Sequence, residues 1–455
     1  MATIIEQKPE FTTLPVGQEI IFSLSNVGVV STEERVKFIA EVHISNDNPI
    51  VLASSTHLIG TFKTTPNNVG VGMFDLSSIL EAYVKGDHLA TTGSTYKLMS
   101  TTLTTQHPLH LVDKFTMNAN SVRYLAIQFK VEYFNTTTNS FTIVDAVNSD
   151  IYKIFNGYLK YSDQLEWSST GFGYDVSRFE ASSGTTGQFL TNAPLTQYAT
   201  QNDYGTMSYL TKILSGTSVA NGYVDKITIE MYDGINGTGS QLGLDIDIDR
   251  TTANGAYTVY TTKLKKELIF IGCFPANLRN WSSAFQTQLA TGNLASYSIR
   301  AFSPSGSAVT QRYIVNILCD DLKNYVPIRL AWINQWGAWD YYTFNKKSVR
   351  SLSTKGTTYT QTKGTWNQSQ YRVHGYKGGQ KSFRVNTTER ISMNTDFVTE
   401  AEGEWFEELI NSPEIYLLEG YQTDLTQPVL NNYVTPVRLT TSSYTRKTIA
   451  NDKLM

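Results

Sequence analysis

Apolar and polar residues alternate in stretch after stretch of this chain, and a side-chain period of two restricts such stretches to half-buried β-strands. EIIFSL (19–24), RVKFIAEVHI (35–44) and SVRYLAIQFKVEYF (121–134) show it early. YVDKITIEMYD (223–233), ELIFIGCF (267–274), ASYSIRAFS (295–303) and RYIVNIL (312–318) continue it. Only 17% of the 455 residues are charged, which leaves a surface made largely of Thr, Ser, Asn, Gln and Tyr and suits pleated sheet better than a helical bundle. The expected fold is mainly β: tandem β-sandwich domains, then a C-terminal β-sandwich domain with one flanking helix.

Spacing suggests four parts. Residues 1–160 read as a first sandwich and 197–320 as a second, each closing on a strand pair joined by a short polar turn. The order of strands repeats loosely, without residue identity. Between them, 161–196 is rich in Gly and Ser with scattered aromatics and reads as an extended connector that docks on its neighbours. Residues 321–455 read as a β-rich oligomerisation domain. Its clearest helix is TEAEGEWFEELINSP (399–413), with Thr399 and Glu402 as a capping box and Trp405, Phe406, Leu409 and Ile410 as the apolar stripe. A shorter helix is expected in FDLSSILEAYV (74–84), capped by Ser78.

The sequence offers little catalytic chemistry. No GxSxG, HExxH or P-loop occurs, and GINGTG (234–239) lacks the Lys of a phosphate cradle. His107 and His110 have no carboxylate at ligand spacing. Cys273 and Cys319 form no CxxC pair. Asp245, Asp247 and Asp249 in LDIDIDR would share one strand face, a weak calcium candidate that lacks the glycine and distal Glu of an EF-hand. We therefore expect no enzyme and no cofactor. The first residues show no secretory signal pattern, and no apolar run is long enough to span a membrane. A net charge of −3 gives no overall pull toward nucleic acid.

Two features point to assembly. IRLAWINQWGAWDYYTF (328–344) packs six aromatic rings into seventeen residues and reads as a hairpin turning between Asn334 and Gly337. Most of these rings should form a core. The surplus among Trp332, Trp336, Trp339 and Tyr342 is expected to face a neighbouring subunit. Charge is also sorted. Residues 346–390 hold ten cations, Arg372, Lys377, Lys381 and Arg384 among them, against one acid. Residues 396–424 hold nine acids, including Glu404, Glu407 and Glu408, and no Lys or Arg. The two runs could neutralise each other within one chain, stay solvated, meet head to tail between copies, or turn the cations toward DNA.

IRLAWINQWGAWDYYTFNKKS, GQFLTNAP and WFEELINSPEIYLLEG with its PVRLTTSSYTRKTIANDKL ending together resemble structural tail proteins of tailed bacteriophages, notably those of Bacteroidetes-infecting and crAss-like phages. The resemblance covers about a fifth of the chain. It implies a non-enzymatic ring, adaptor or baseplate component in several copies, made in the bacterial cytoplasm and located in the virion. The implied partners are other copies in a ring, other tail proteins and DNA passing through a lumen. The alternative expectation is a carbohydrate- or receptor-binding tail protein that stacks exposed aromatics on sugars.

Overall fold

The computed structural model describes residues 2–46, 50, 52, 56–84, 108–110, 115–117, 121–159, 187–210, 224, 226–249, 268–303, 305–318, 325–366, 368–373, 375–419 and 434–441. They form a mainly β, sandwich-rich fold with few helices. No helix among the described residues is long and apolar enough to cross a membrane.

The first segment contains β1 (Ile4–Gln7), β2 (Thr13–Gly17), β3 (Ile21–Ser25), α1 (Val27–Thr32), β4 (Glu34–Ser45), β5 (Leu58–Thr64), β6 (Val71–Asp75), α2 (Ser77–Leu80), β7 (Phe115–Met117), β8 (Val122–Asn135), β9 (Ser140–Asn148) and β10 (Tyr152–Tyr158). One sheet runs β2-β10-β8-β4-β5, with β9 also paired to β8, and a smaller sheet runs β1-β3-β6. Their inner faces share one core, in which the Phe22 and Phe74 rings lie 5.4 and 6.1 Å from Phe129. The helix expected over 74–84 begins at Ser77 and shortens to a single turn before tightening into a 3₁₀ turn. Asp75, not Ser78, holds its start, accepting from the Ser77 amide and hydroxyl at 3.0 and 2.8 Å.

The second segment contains β11 (Thr196–Thr200), β12 (Thr206–Leu210), β13 (Lys226–Tyr232), β14 (Ile246–Asp249), β15 (Leu268–Gly272), α3 (Pro275–Trp281), α4 (Ser283–Ala290), β16 (Ser296–Phe302) and β17 (Tyr313–Leu318). Its large sheet, β11-β17-β16-β13-β14, has the connectivity of the first. In each, the opening strand lies parallel to the closing one (β2 on β10, β11 on β17), and antiparallel pairs complete the order. In each small sheet an antiparallel pair, β3 with β6 or β12 with β15, is followed by a helix. β7 crosses between segments: it lies in sequence within the first and pairs with β15 of the second.

The last segment contains β18 (Ile328–Ile333), β19 (Trp339–Phe344), β20 (Val349–Thr360), β21 (Gln380–Ser392), α5 (Glu400–Asn411), β22 (Ile415–Leu418) and β23 (Val434–Val437). Its sheet runs β19-β18-β22-β23, while among the described residues β20 and β21 pair only with each other. Thr399 caps α5 with the reciprocal Glu402 contact that the sequence predicts. The sheet is covered on both faces. Ile328, Leu330 and Trp332 pack with Trp405, Phe406 and Leu409 of α5. On the opposite face Ala331, Ile333, Trp339 and Tyr341 join the core of the second segment.

The β18–β19 turn also docks on the first segment. Asn334 closes it: its amide donates to the Ala338 carbonyl at 2.8 Å, and its Oδ1 accepts from the Trp336 and Ala338 amides at 3.0 Å each. The Tyr158 amide of β10 donates to the Gln335 carbonyl at 2.9 Å. Gly337 sits at φ +71°, and a Cβ there would lie 2.1 Å from the Asn156 carbonyl oxygen. Gly337→Ala is therefore expected to cost more than about 2 kcal/mol, from a disfavoured backbone region plus the clash. Chemical denaturation checks this; an unchanged midpoint would mean that the turn does not dock on β10.

Candidate interaction site

Two places stand out chemically: a buried polar junction beneath the aromatic hairpin, and the exposed ribbon formed by β20 and β21. At the junction the Asp340 carboxylate is buried and accepts three hydrogen bonds. Thr191 Oγ1 and Asn334 Nδ2 reach Oδ1 at 2.8 and 3.0 Å, and Trp405 Nε1 reaches Oδ2 at 2.6 Å. Asn334 Nδ2 also donates to the Leu190 carbonyl at 2.7 Å. Beside them the Glu408 carboxylate accepts from Asn192 Nδ2 and the Gln335 amide, and Asn192 Oδ1 accepts from Trp336 Nε1 at 3.2 Å. Burial pushes the Asp340 carboxyl up to about 6, against the opposing pull of Trp405, Thr191 and Asn334. With its oxygens turned onto these donors, this carboxylate ties three parts of the chain together.

A buried ion pair supports the other face of the hairpin. Arg329 Nη1 lies 3.3 Å from Asp203 Oδ2 and donates to Thr343 Oγ1 at 2.8 Å, while Nε donates to the Tyr204 carbonyl at 2.9 Å. The guanidinium sits 5.0 Å above the Phe274 ring and 5.3 Å above Tyr341. Nearby Cys273 is fully enclosed, and burial pushes its thiol up to about 12, so it stays protonated near neutral pH and is a poor nucleophile.

This packing overturns the expectation of surplus rings. Trp332 and Trp336 are 0% exposed and Trp339 is 5% exposed, so none of them can face a neighbouring subunit. The reason is double coverage: a hairpin buried on both faces needs aromatic side chains on both. Trp332 packs against Trp405 at 5.0 Å, and Trp339 against Tyr416 at 5.6 Å. Tyr342 is half-buried, edge-on to Phe406 at 4.7 Å. Glu408 is buried as well and serves the junction; Glu407 is half-buried and Glu404 exposed.

In the weak calcium candidate, two of the three carboxylates have partners within the chain. Asp247 is taken by Lys226 at 2.8 Å and Thr228 at 2.7 Å, and Asp245 accepts from Gln241 at 2.5 Å. The side chain of Asp249, like His107 and Cys319, lies outside the described residues. No group of three or more His, Cys, Asp or Glu that could hold a metal occurs among the described residues.

The ribbon has the opposite character. β20 is exposed along its whole length, and β21 everywhere except Ile391 near its root. Its register, from Val349↔Ser392 to Thr360↔Gln380, divides the side chains between two faces. On one face lie Arg350, Leu352, Val385, Glu389 and Ile391; on the other Lys355, Lys381, Arg384 and Arg390, with Tyr359. Contacts follow this division: Arg350 reaches Glu389 at 3.4 Å, and Arg384 Nε donates to Asn386 Oδ1 at 2.9 Å. Register slips between Thr357 and Thr358, leaving Phe383 opposite no residue, and Phe383 is 79% exposed. The tip carries exposed Trp366, Tyr371 and Tyr376, with Arg372 exposed and Lys377 half-buried 6.0 Å from the Tyr376 ring. At the root Arg350 also pairs with Glu419, and Lys346 lies 2.6 Å from Asp396.

No family model and no curated protein matches this chain. Among solved structures, native Escherichia coli alpha-2-macroglobulin aligns at TM-score 0.18 and 8% identity, over 92% of this chain and 21% of that one. The form activated by porcine elastase aligns at TM-score 0.15 and 8% identity, over 96% and 30%. The chain thus spans under a third of the length of either, and at such scores the likeness carries no argument.

The junction yields a pH prediction. A carboxyl whose folded-state value is raised contributes stability that is present below its unfolded value of 3.8 and lost as pH rises through about 6. From about pH 7 to about pH 5 the wild type should gain about 1 kcal/mol relative to Asp340→Asn. Near neutral pH the Asn variant should itself be weaker, because its NH₂ meets a donor. Parallel denaturation curves at the two pH values measure both effects, and a pH-independent difference would contradict the assignment.

Proposed function

We propose that this chain is a non-enzymatic structural subunit of a bacteriophage tail, a ring, adaptor or baseplate component, and that each copy lays its β20–β21 ribbon on the next to close a multi-copy ring. The ribbon itself carries this reading. A two-stranded hairpin is marginally stable in water without something to pack on, and this one pairs over twelve positions while exposed on both faces. Leu352, Phe383 and Val385 are 68%, 79% and 56% exposed, and the outer edge of each strand is unpaired among the described residues. A neighbouring subunit supplies both missing elements, apolar cover and edge partners. A head-to-tail contact of this kind joins unlike surfaces and closes into a ring when the rotation permits.

The resemblance of the 328–348, 187–194, 405–420 and 436–454 stretches to phage tail proteins supports the same reading, with the protein made in the host cytoplasm and carried in the virion beside other tail proteins. One observation favours a second reading, a carbohydrate- or receptor-binding tail protein. Trp366 is 71% exposed and edge-on to Tyr371 at 5.8 Å, a small aromatic platform at the ribbon tip.

Light scattering after size-exclusion chromatography tests the assembly. The full chain is expected to elute as a multi-copy species, and a variant with residues 351–390 replaced by a short Gly-Ser turn as a folded monomer. A wild type that stays monomeric at high concentration would refute the ring. Glycan binding abolished by Trp366→Ala at unchanged mass would favour the second reading.

A further inference from the structure

The ribbon divides its charge by face, and assembly through an apolar face does not require that division. Its single acid, Glu389, and Arg350, which pairs with it, share a face with Leu352 and Val385. Lys355, Lys381, Arg384 and Arg390 occupy the other face, all exposed, and none has an ion-pair partner among the described residues. Their neighbours there are Ser351, Ser353, Thr357, Tyr359, Asn386 and Thr388, all neutral.

Four uncompensated cations in a row repel one another and destabilise an isolated hairpin. The row is also a local exception in a chain of net charge −3. Measured along β20, the cations fall at the level of residues 351, 355, 357 and 359. At about 3.4 Å per residue the row spans roughly 27 Å. Two of the acids on α5 serve the chain's own fold: Glu402 caps the helix and Glu408 is buried in the junction.

We propose that this face of the ribbon binds the phosphate backbone of double-stranded DNA without sequence preference. Duplex DNA presents one negative charge per about 1.7 Å of axis, and its major groove admits a two-stranded β-ribbon. Lys and Arg spaced along one face of a ribbon meet phosphates along such a line, while Ser, Thr and Asn between them add hydrogen bonds to phosphate oxygens. Contacts to phosphate carry no sequence information, so binding through them is set by charge. The inference extends the assembly reading without depending on it, because the two use opposite faces.

The test is fluorescence anisotropy of a labelled mixed-sequence DNA duplex titrated with the full chain, alongside its mass in the same buffer. Displacing about four counterions should weaken binding on the order of 100-fold between about 50 and about 200 mM salt. The quadruple variant K355Q/K381Q/R384Q/R390Q should bind at least about tenfold more weakly with a flatter salt slope, at wild-type mass and circular dichroism. The variant L352S/V385S should lower the mass yet keep binding duplex. No binding at low salt, equal binding and slope in the quadruple variant, or preference for vesicles of anionic phospholipid over duplex would each overturn the proposal. Duplex binding by a monomeric wild type would refute the ring and leave this inference standing; a ring that ignores duplex would do the reverse.

Discussion

Hydrogen bonds onto the Asp340 carboxylate hold the molecule at one point. Thr191 brings the stretch leading into the second segment, Asn334 brings the hairpin turn, and Trp405 brings α5. The turn that Asn334 closes is the one whose Gln335 carbonyl takes the Tyr158 amide of the first segment. The hairpin is thus held in sequence-distant company on every side. Burying a carboxylate opposes this arrangement, as the upward shift of Asp340 shows, and the three donors together with the apolar cover on both faces offset that cost.

Much of this architecture was legible in the sequence, because period-two alternation and a capping box are local signals. The β-rich fold, the hairpin around Asn334–Gly337 and the helix from Thr399 follow from residues within a few positions of one another. Double coverage was not legible. Six rings in seventeen residues look excessive for a hairpin with one dry face, and only the tertiary neighbours, α5 and the second segment, reveal that both faces are dry. A signal was nonetheless present: Asn334, Gln335 and Asp340 interrupt an otherwise apolar run, and buried polar residues within such a run mark a hydrogen-bonded junction. The crossing of β7 into the second segment had no signal at all, since three residues carry no periodicity.

The sorted charge was visible from the start, but its meaning was not, because sorting along the chain differs from sorting across faces. The cations of 346–390 divide among the ribbon root, where acids of the same chain meet some of them, the tip, and a row on one face that has no ion-pair partner among the described residues. Only strand register shows that Arg350 and Arg384 point opposite ways. Of the acids, Glu402 and Glu408 serve the chain's own fold. The proposed function therefore moves from the aromatic run, which folds the chain, to the ribbon, which has nothing to fold against among the described residues.

Amide hydrogen exchange resolved by segment measures that contrast directly. In the assembled protein, exchange across 349–360 and 380–392 should slow markedly relative to a dilute, dissociated sample, while the amides of 328–344 stay slow in both. Ribbon amides that exchange equally fast at every concentration would contradict the account, since they would show a hairpin that no neighbour ever covers.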